Sequence, residues 1–129
     1  MILAAQIVAS VAALLHIVFF VFESILWTRP TVYRRFGIAS QEQANTIRPM
    51  AYNQGFYNLA LALGLIVGVV LIGCGVRDCV IIGKTVIIFA TACMALAGVV
   101  LATTGRHYRR AAAIQFLPAA IALVLATLV

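Results

Sequence analysis

Glu23 is the residue in this chain best suited to chemistry, and it lies in an otherwise apolar stretch that also holds His16. A carboxyl group among apolar side chains is costly to keep charged, so it suits proton exchange near neutral pH, as an imidazole does. The two form a candidate acid/base pair, or the ends of a proton path. At about 100° per residue they share one helical face, but two turns and about 10 Å separate them, so water or a ligand would have to bridge the gap. A second polar group opens the next apolar stretch: Asn53, Gln54, Tyr57 and Asn58. Asn53 with Tyr57, and Gln54 with Asn58, are neighbours one helical turn apart and form a polar ladder. Amides orient ligands more often than they perform chemistry, which makes these four candidate ligand contacts. Trp27, on the Glu23 face, and Gln115, near the start of the last apolar stretch, join them. Each role has a structural counterpart. Glu23 could accept bonds from Asn58 and Tyr57, His16 could bond a neighbouring helix, and the amide run could hold helices together.

The elements that must position these groups are membrane spans. Of 129 residues, 65% are hydrophobic and only 9% charged, with a mean hydropathy of +1.15. No soluble domain of this size hides so much apolar surface. A span needs about 20 mostly apolar residues, and four such stretches occur: Met1 to Thr28, Met50 to Cys74, Val80 to Thr104, and Tyr108 to about Leu128. They leave a single transmembrane domain over residues 1–129 and no soluble one. The first stretch lacks a basic start and carries His16 and Glu23 in its second half, so it reads as a span and not as a leader peptide.

Small residues recur at helical spacing on every span. Ala5, Ala9, Ala12 and Ala13 share the His16 and Glu23 face, while Ile7, Val11, Leu14 and Val18 oppose it. Gln54 and Asn58 lead to Gly64 and Gly68. Thr91, Ala95, Gly98 and Ala102 align on the third span, and Gln115 heads Ala119, Ala122 and Ala126 on the fourth. Small faces let helices approach closely in lipid, which predicts an all-α, integral membrane, antiparallel four-helix bundle with its polar groups inside.

The net charge of +6 is confined to connections. Arg29, Arg34, Arg35 and Arg48 lie between spans one and two, and Arg106, Arg109 and Arg110 between spans three and four. Only Arg77 and Lys84 lie near the middle turn. This bias predicts a multi-pass protein of the cell membrane with both termini outside the cytoplasm, and it explains the charge better than nucleic acid does. Counted at about 1.5 Å per residue, Glu23, Tyr57, Asn58 and Gln115 then fall about 8–12 Å inside the same face. Thr103 and Thr104, at the end of span three, lie toward that side too.

The first connection, Arg29 to Pro49, is too long for a turn. Val32, Tyr33 and Phe36 alternate with arginines before Gly37, as in a short helix lying at the headgroups. Ser40 and Gln43 form a capping-box pattern for a second short helix, and Pro49 suits the first turn of span two. Trp27 and Tyr108 sit at aromatic-belt positions. Pro118 should kink the last span, leaving the Ile114 carbonyl beside Gln115. Cys74 and Cys79 have a spacing that permits a disulfide without requiring one, and Cys93 reads as packing. No metal-ligand spacing and no phosphate loop occur, a lone His16 is weak support for haem, and no cofactor is expected.

His16, Glu23 and Trp27, then Phe36-Gly37, then Asn53-Gln54-Gly55-x-Tyr57-Asn58 together resemble the small membrane proteins grouped as domain of unknown function 1304. The resemblance covers most of the chain, with the asparagine-rich run its most specific part. It implies a four-span membrane protein and carries no established activity. The residues favour a cytoplasm-facing polar pocket that binds, and could transform, a small amphiphilic or lipidic molecule. Two rivals stand beside this. One is a proton-coupled exporter, since small multidrug transporters also have four short spans, a glutamate in the first and a homo-oligomeric assembly. The other is a structural subunit of a larger membrane complex. The lipid bilayer is the partner common to all three.

Overall fold

A computed structural model describes residues Met1–Val129 and is helical throughout. Helix α1 (Ile2–Phe20) passes into a π-helical turn, Val21–Ile25. A short α2 (Pro30–Tyr33) continues as a 3-10 turn, Arg34–Phe36. The long α3 (Gln41–Ile72) is followed by α4 (Arg77–Thr104), a 3-10 turn (Arg106–Tyr108) and α5 (Arg109–Thr127). Four segments are long and apolar enough to cross a membrane: Ile2–Ile25, Gln41–Ile72, Arg77–Thr104 and Arg106–Thr127. The chain divides into two compact units, Met1–Leu15 with Leu61–Val129, and His16–Ala60.

The first unit contains parts of all four long helices, joined through small residues and running in alternating directions. The Gln6 side-chain amide donates to the Val69 carbonyl at 3.0 Å, setting the start of α1 against the end of α3. That carbonyl is free because the Gly73 N–H turns to Val70 instead, so Gln6 satisfies one of the acceptors a helix end leaves over. Between α3 and α4 the backbones nearly touch. A Cβ on Gly83 would lie 2.5 Å from the Ile72 nitrogen and 2.8 Å from the Gly68 oxygen. Between α4 and α5, a Cβ on Gly98 would lie 2.9 Å from Phe116 Cβ, and Lys84 Nζ donates to the Thr127 carbonyl at 3.4 Å. Ala5, Ala9, Thr91, Ala119, Ala122 and Ala126 are buried, whereas Ile7, Val11, Leu14, Val67, Phe89 and Val124 are exposed. An apolar exterior over an alanine-lined interior is the arrangement lipid requires. Gly64 departs from expectation. Nothing lies within 4 Å of a Cβ placed there, so Gly68 alone of that pair makes the close approach.

The second unit is built around the connection. Trp27, Tyr33, Ala44 and Ala51 are buried together, with Phe36, Ile38 and Ile47 packed against them. Trp27 Nε1 donates to the Ala44 carbonyl at 2.8 Å. Gly37 ends the 3-10 turn at φ 76°, a left-handed conformation that a side chain would strain. Ser40 Oγ accepts from the Gln43 N–H at 3.2 Å, while the Gln43 side chain accepts from the Ala39 N–H at 3.2 Å. This is a capping box displaced by one residue on its return bond. The helix it starts does not stop near Ile47. It runs on through Pro49 as the first two turns of α3. A proline inside a helix costs about 3 kcal/mol. Ala44, Ile47 and Ala51, one face of those turns, offset this by packing on Trp27 and Tyr33.

Candidate functional site

Glu23 occupies the middle of the π-helical turn, where the Leu26 N–H reaches back to the Val21 carbonyl at 2.8 Å. Such turns insert an extra residue into a helix and often mark functional positions. Here the turn presents two adjacent side chains to α3. Asn58 Nδ2 donates to Glu23 Oε2 at 2.6 Å, and Ser24 Oγ donates to the Tyr52 carbonyl at 2.8 Å. Gly55, between those two anchor points, lies against Ser24 so closely that any Cβ would overlap its hydroxyl. The Phe20 and Phe56 rings meet edge to face, 5.2 Å apart, beside this contact. Neither Ser24 nor the π turn carries a sequence signal of its own. Only Gly55, the one residue without a side chain in the amide run, marks the place where helices meet.

Of the eight residues singled out by sequence, the structure joins Glu23 and Asn58. His16 is 1% exposed and sets its ring edge-on to Phe19 at 5.4 Å. Seven residues of helix, about 10 Å, still separate it from Glu23, too far for direct proton transfer. Asn53, Gln54 and Tyr57 are exposed, Tyr57 at 62%, so the ladder does not turn inward as a unit. The buried stripe of α3 runs through Ala51, Gly55, Asn58, Ala62 and Leu65. At about 100° per residue that stripe admits only Asn58 from the polar group, with Gln54 about 40° away. Gln115 belongs to the other compact unit, where its amide reaches the Met94 carbonyl at 3.5 Å. Trp27 is 5% exposed, its N–H is engaged by the Ala44 carbonyl, and its ring packs at 5.2 Å on Phe36, so it serves the core of its unit. Thr103 and Thr104 return their hydroxyls to their own helix, at the Val100 and Leu101 carbonyls.

Depth follows from helix length. At about 1.5 Å per residue α3 is about 48 Å long, against a hydrocarbon core of about 30 Å. Counted back from Ile72, about 20 residues of span reach Asn53. Asn53 and Gln54, both exposed, stand at the end of that count. The first apolar segment ends at Ile25, short of Thr28, so Glu23 is about 3 Å from its end.

The family model described as "Protein of unknown function (DUF1304)" matches residues 10–127. The chain belongs to this family. No curated protein and no solved structure matches it. The DUF1304 match takes in the π turn, the connection and all of α3, so Glu23, Trp27, Gly55 and Asn58 lie within it. Two shallow grooves of about 380 Å³ open on the surface of this DUF1304 chain. One is walled by Gln6, Ser10 and Leu14, the other by Gly98, Arg109 and Phe116. Neither includes Glu23, His16 or Asn58. No three His, Cys, Asp or Glu side chains gather as a metal site would need. What the Glu23 arrangement offers chemically is one carboxyl group, fixed at one oxygen and half-buried, with an amide on one side.

Proposed function

We propose that this membrane protein binds the polar head of a small amphiphile at Glu23 and Asn58, entering sideways from the bilayer. The observation that carries it is the state of the carboxyl group. Oε2 is held by Asn58, while Oε1 is left for another hydrogen-bond donor. The chain has nine Lys and Arg against three acids, yet none of these cations pairs with Glu23. A half-satisfied carboxyl group at the edge of the hydrocarbon complements a head that donates, an amine or a hydroxyl. Gln54 and Tyr57, exposed on the neighbouring turn of α3, supply further polar contacts, and the apolar flank of α1 suits a hydrocarbon tail. Catalysis at this site would use Glu23 to move a proton on the bound head. His16 lies too far away to share that step directly. An exporter built on Glu23 would place it near the midplane, whereas the first apolar segment ends two residues later.

The test is mass spectrometry of lipids and small molecules retained by the purified protein, compared with Glu23→Gln. Retention of an amine- or hydroxyl-bearing amphiphile by the parent and its loss from the variant are expected. Identical profiles from two well-folded proteins would refute the proposal. One observation favours a second reading, a subunit role: Asn53, Gln54 and Tyr57 are exposed together, as a face awaiting a partner helix would be. That reading expects a co-purifying protein that survives Glu23→Gln.

A further inference from the structure

The groove between α4 and α5 shares no residue with the site proposed at Glu23. Gly98, Ala102, Ala112 and Phe116 form its apolar wall, and Thr103 and Arg109 stand on it as the polar members. Its volume of about 380 Å³ falls in the range of small-molecule sites, about 300–1,000 Å³. Gly98 forms the floor, because α5 crosses α4 there with Phe116 against the glycine. Arg109 lines the groove, with Arg106 and Arg110 close to it in sequence. Within this compact unit the one acid is Asp78. It is in the first turn of α4, twenty residues and about 30 Å along the helix from Gly98. Within the unit, Arg109 therefore faces an apolar trough with no carboxylate beside it. The planar guanidinium fork matches phosphate oxygens two at a time.

We propose that this groove is a site for an anionic phospholipid, with one acyl chain along Gly98, Ala102 and Phe116 and the phosphate on Arg109. Zwitterionic lipids carry the same phosphate, but their own ammonium group offsets it and leaves no net negative charge for Arg109. Selectivity for net negative charge is the mark of this site, as opposed to general lipid contact. Each arginine near an anionic lipid contributes about 1 kcal/mol, or about a fivefold change in affinity.

The test is native mass spectrometry of delipidated protein titrated with phosphatidylglycerol or phosphatidylcholine of identical chains. Phosphatidylglycerol is expected to bind at least about fivefold more tightly. Arg109→Gln should lower that affinity about fivefold and leave phosphatidylcholine unchanged. Ala102→Phe, which fills the groove from an exposed position, should reduce both. Equal binding of the two lipids overturns the site, as does an Arg109→Gln variant that retains the preference. Glu23→Gln should leave phosphatidylglycerol binding intact, which separates this site from the one proposed at Glu23. Loss of phosphatidylglycerol in that variant would overturn the independence claimed here.

Discussion

Replacing Glu23 and Asn58 by leucine, singly and together, separates a strut from a site. The bond between them is short, 2.6 Å, but its two ends are not equally buried. Asn58 is 6% exposed, whereas Glu23 is only half-buried. Glu23→Leu strands the amide where water cannot reach it, at a cost near the middle of the range for an unsatisfied buried group, about 2 kcal/mol. Asn58→Leu leaves a carboxyl group that headgroups and water can partly solvate, so about 1 kcal/mol is expected. With both replaced, no polar group is left over. Two leucines of suitable volume then pack at little net cost, about 1 kcal/mol. The coupling between the positions is then about 2 kcal/mol, slightly above the upper end of about 1.7 kcal/mol found for bonds between membrane helices.

Reversible unfolding in mixed micelles, followed by helicity as SDS is added, measures all three variants. Additive losses within about 0.3 kcal/mol would refute the bond as a feature of the protein in its native surroundings. The double variant also gives the sharper functional test. If it is as stable as expected and no longer retains an amphiphile, the pair does more than hold helices. If it retains the same molecules as the parent, the carboxyl group is a strut.

The remaining expectations follow from close approaches and exposure. Gly83→Ala forces a methyl group onto the Ile72 nitrogen and the Gly68 oxygen and should cost about 3 kcal/mol by the same unfolding measurement. Gly64→Ala meets open space and should stabilise α3 by about 0.5–1 kcal/mol. An equal effect at both positions would contradict the α3–α4 contact. Trp27→Phe keeps the ring but loses the bond to the Ala44 carbonyl. It should cost about 1 kcal/mol and speed amide exchange in residues 41–47 more than in α4. The charge bias expects the termini outside; on that orientation the exposed Cys74 in the α3–α4 turn should react with a membrane-impermeant maleimide on intact cells, and Cys93 more slowly. Labelling of Cys74 only after permeabilisation would reverse the topology.

Hydrophobic run length and the small-residue stripes made the four spans legible, because lipid demands both along the whole helix. Ala5, Ala9, Ala12 and Ala13 on one side, with Ile7, Val11, Leu14 and Val18 on the other, are divided as their spacing implies. The ends of the elements were not legible. Pro49 reads locally as a helix start, and only the long-range packing of Ala44 and Ile47 on Trp27 carries the helix through it. Trp27 reads as a belt residue because a single sequence cannot show that the connection folds back over it. Within the polar group, spacing placed Glu23 and Asn58 at similar depth, but the π turn shifts which side chains α1 presents. No residue type announces a π turn, so Ser24, which meets α3 directly, stayed invisible. The amide ladder failed as an inward face for a simpler reason. It covers more of the helix circumference than one neighbour can cover, and Gly55 occupies the centre of the contact.

That polar residues gather at one end of the first two spans is not itself a sign of function, since polar groups cost little wherever a span leaves the hydrocarbon. The choice of a carboxyl group is harder to explain by depth alone. Ser24 already locks α1 to α3 through a neutral bond to the Tyr52 carbonyl, against a glycine that lets the backbones close. A second lock between Glu23 and Asn58 would be served as well by an amide or a hydroxyl, neither of which brings the desolvation cost of an ionisable group. The chain has nine basic residues, yet the bond Glu23 makes is to the neutral amide of Asn58. The property that glutamate has and glutamine lacks is the ability to hold, release or attract a positive charge. On the proposal made above, that property acts on something outside the chain, with Oε1 as the place of binding.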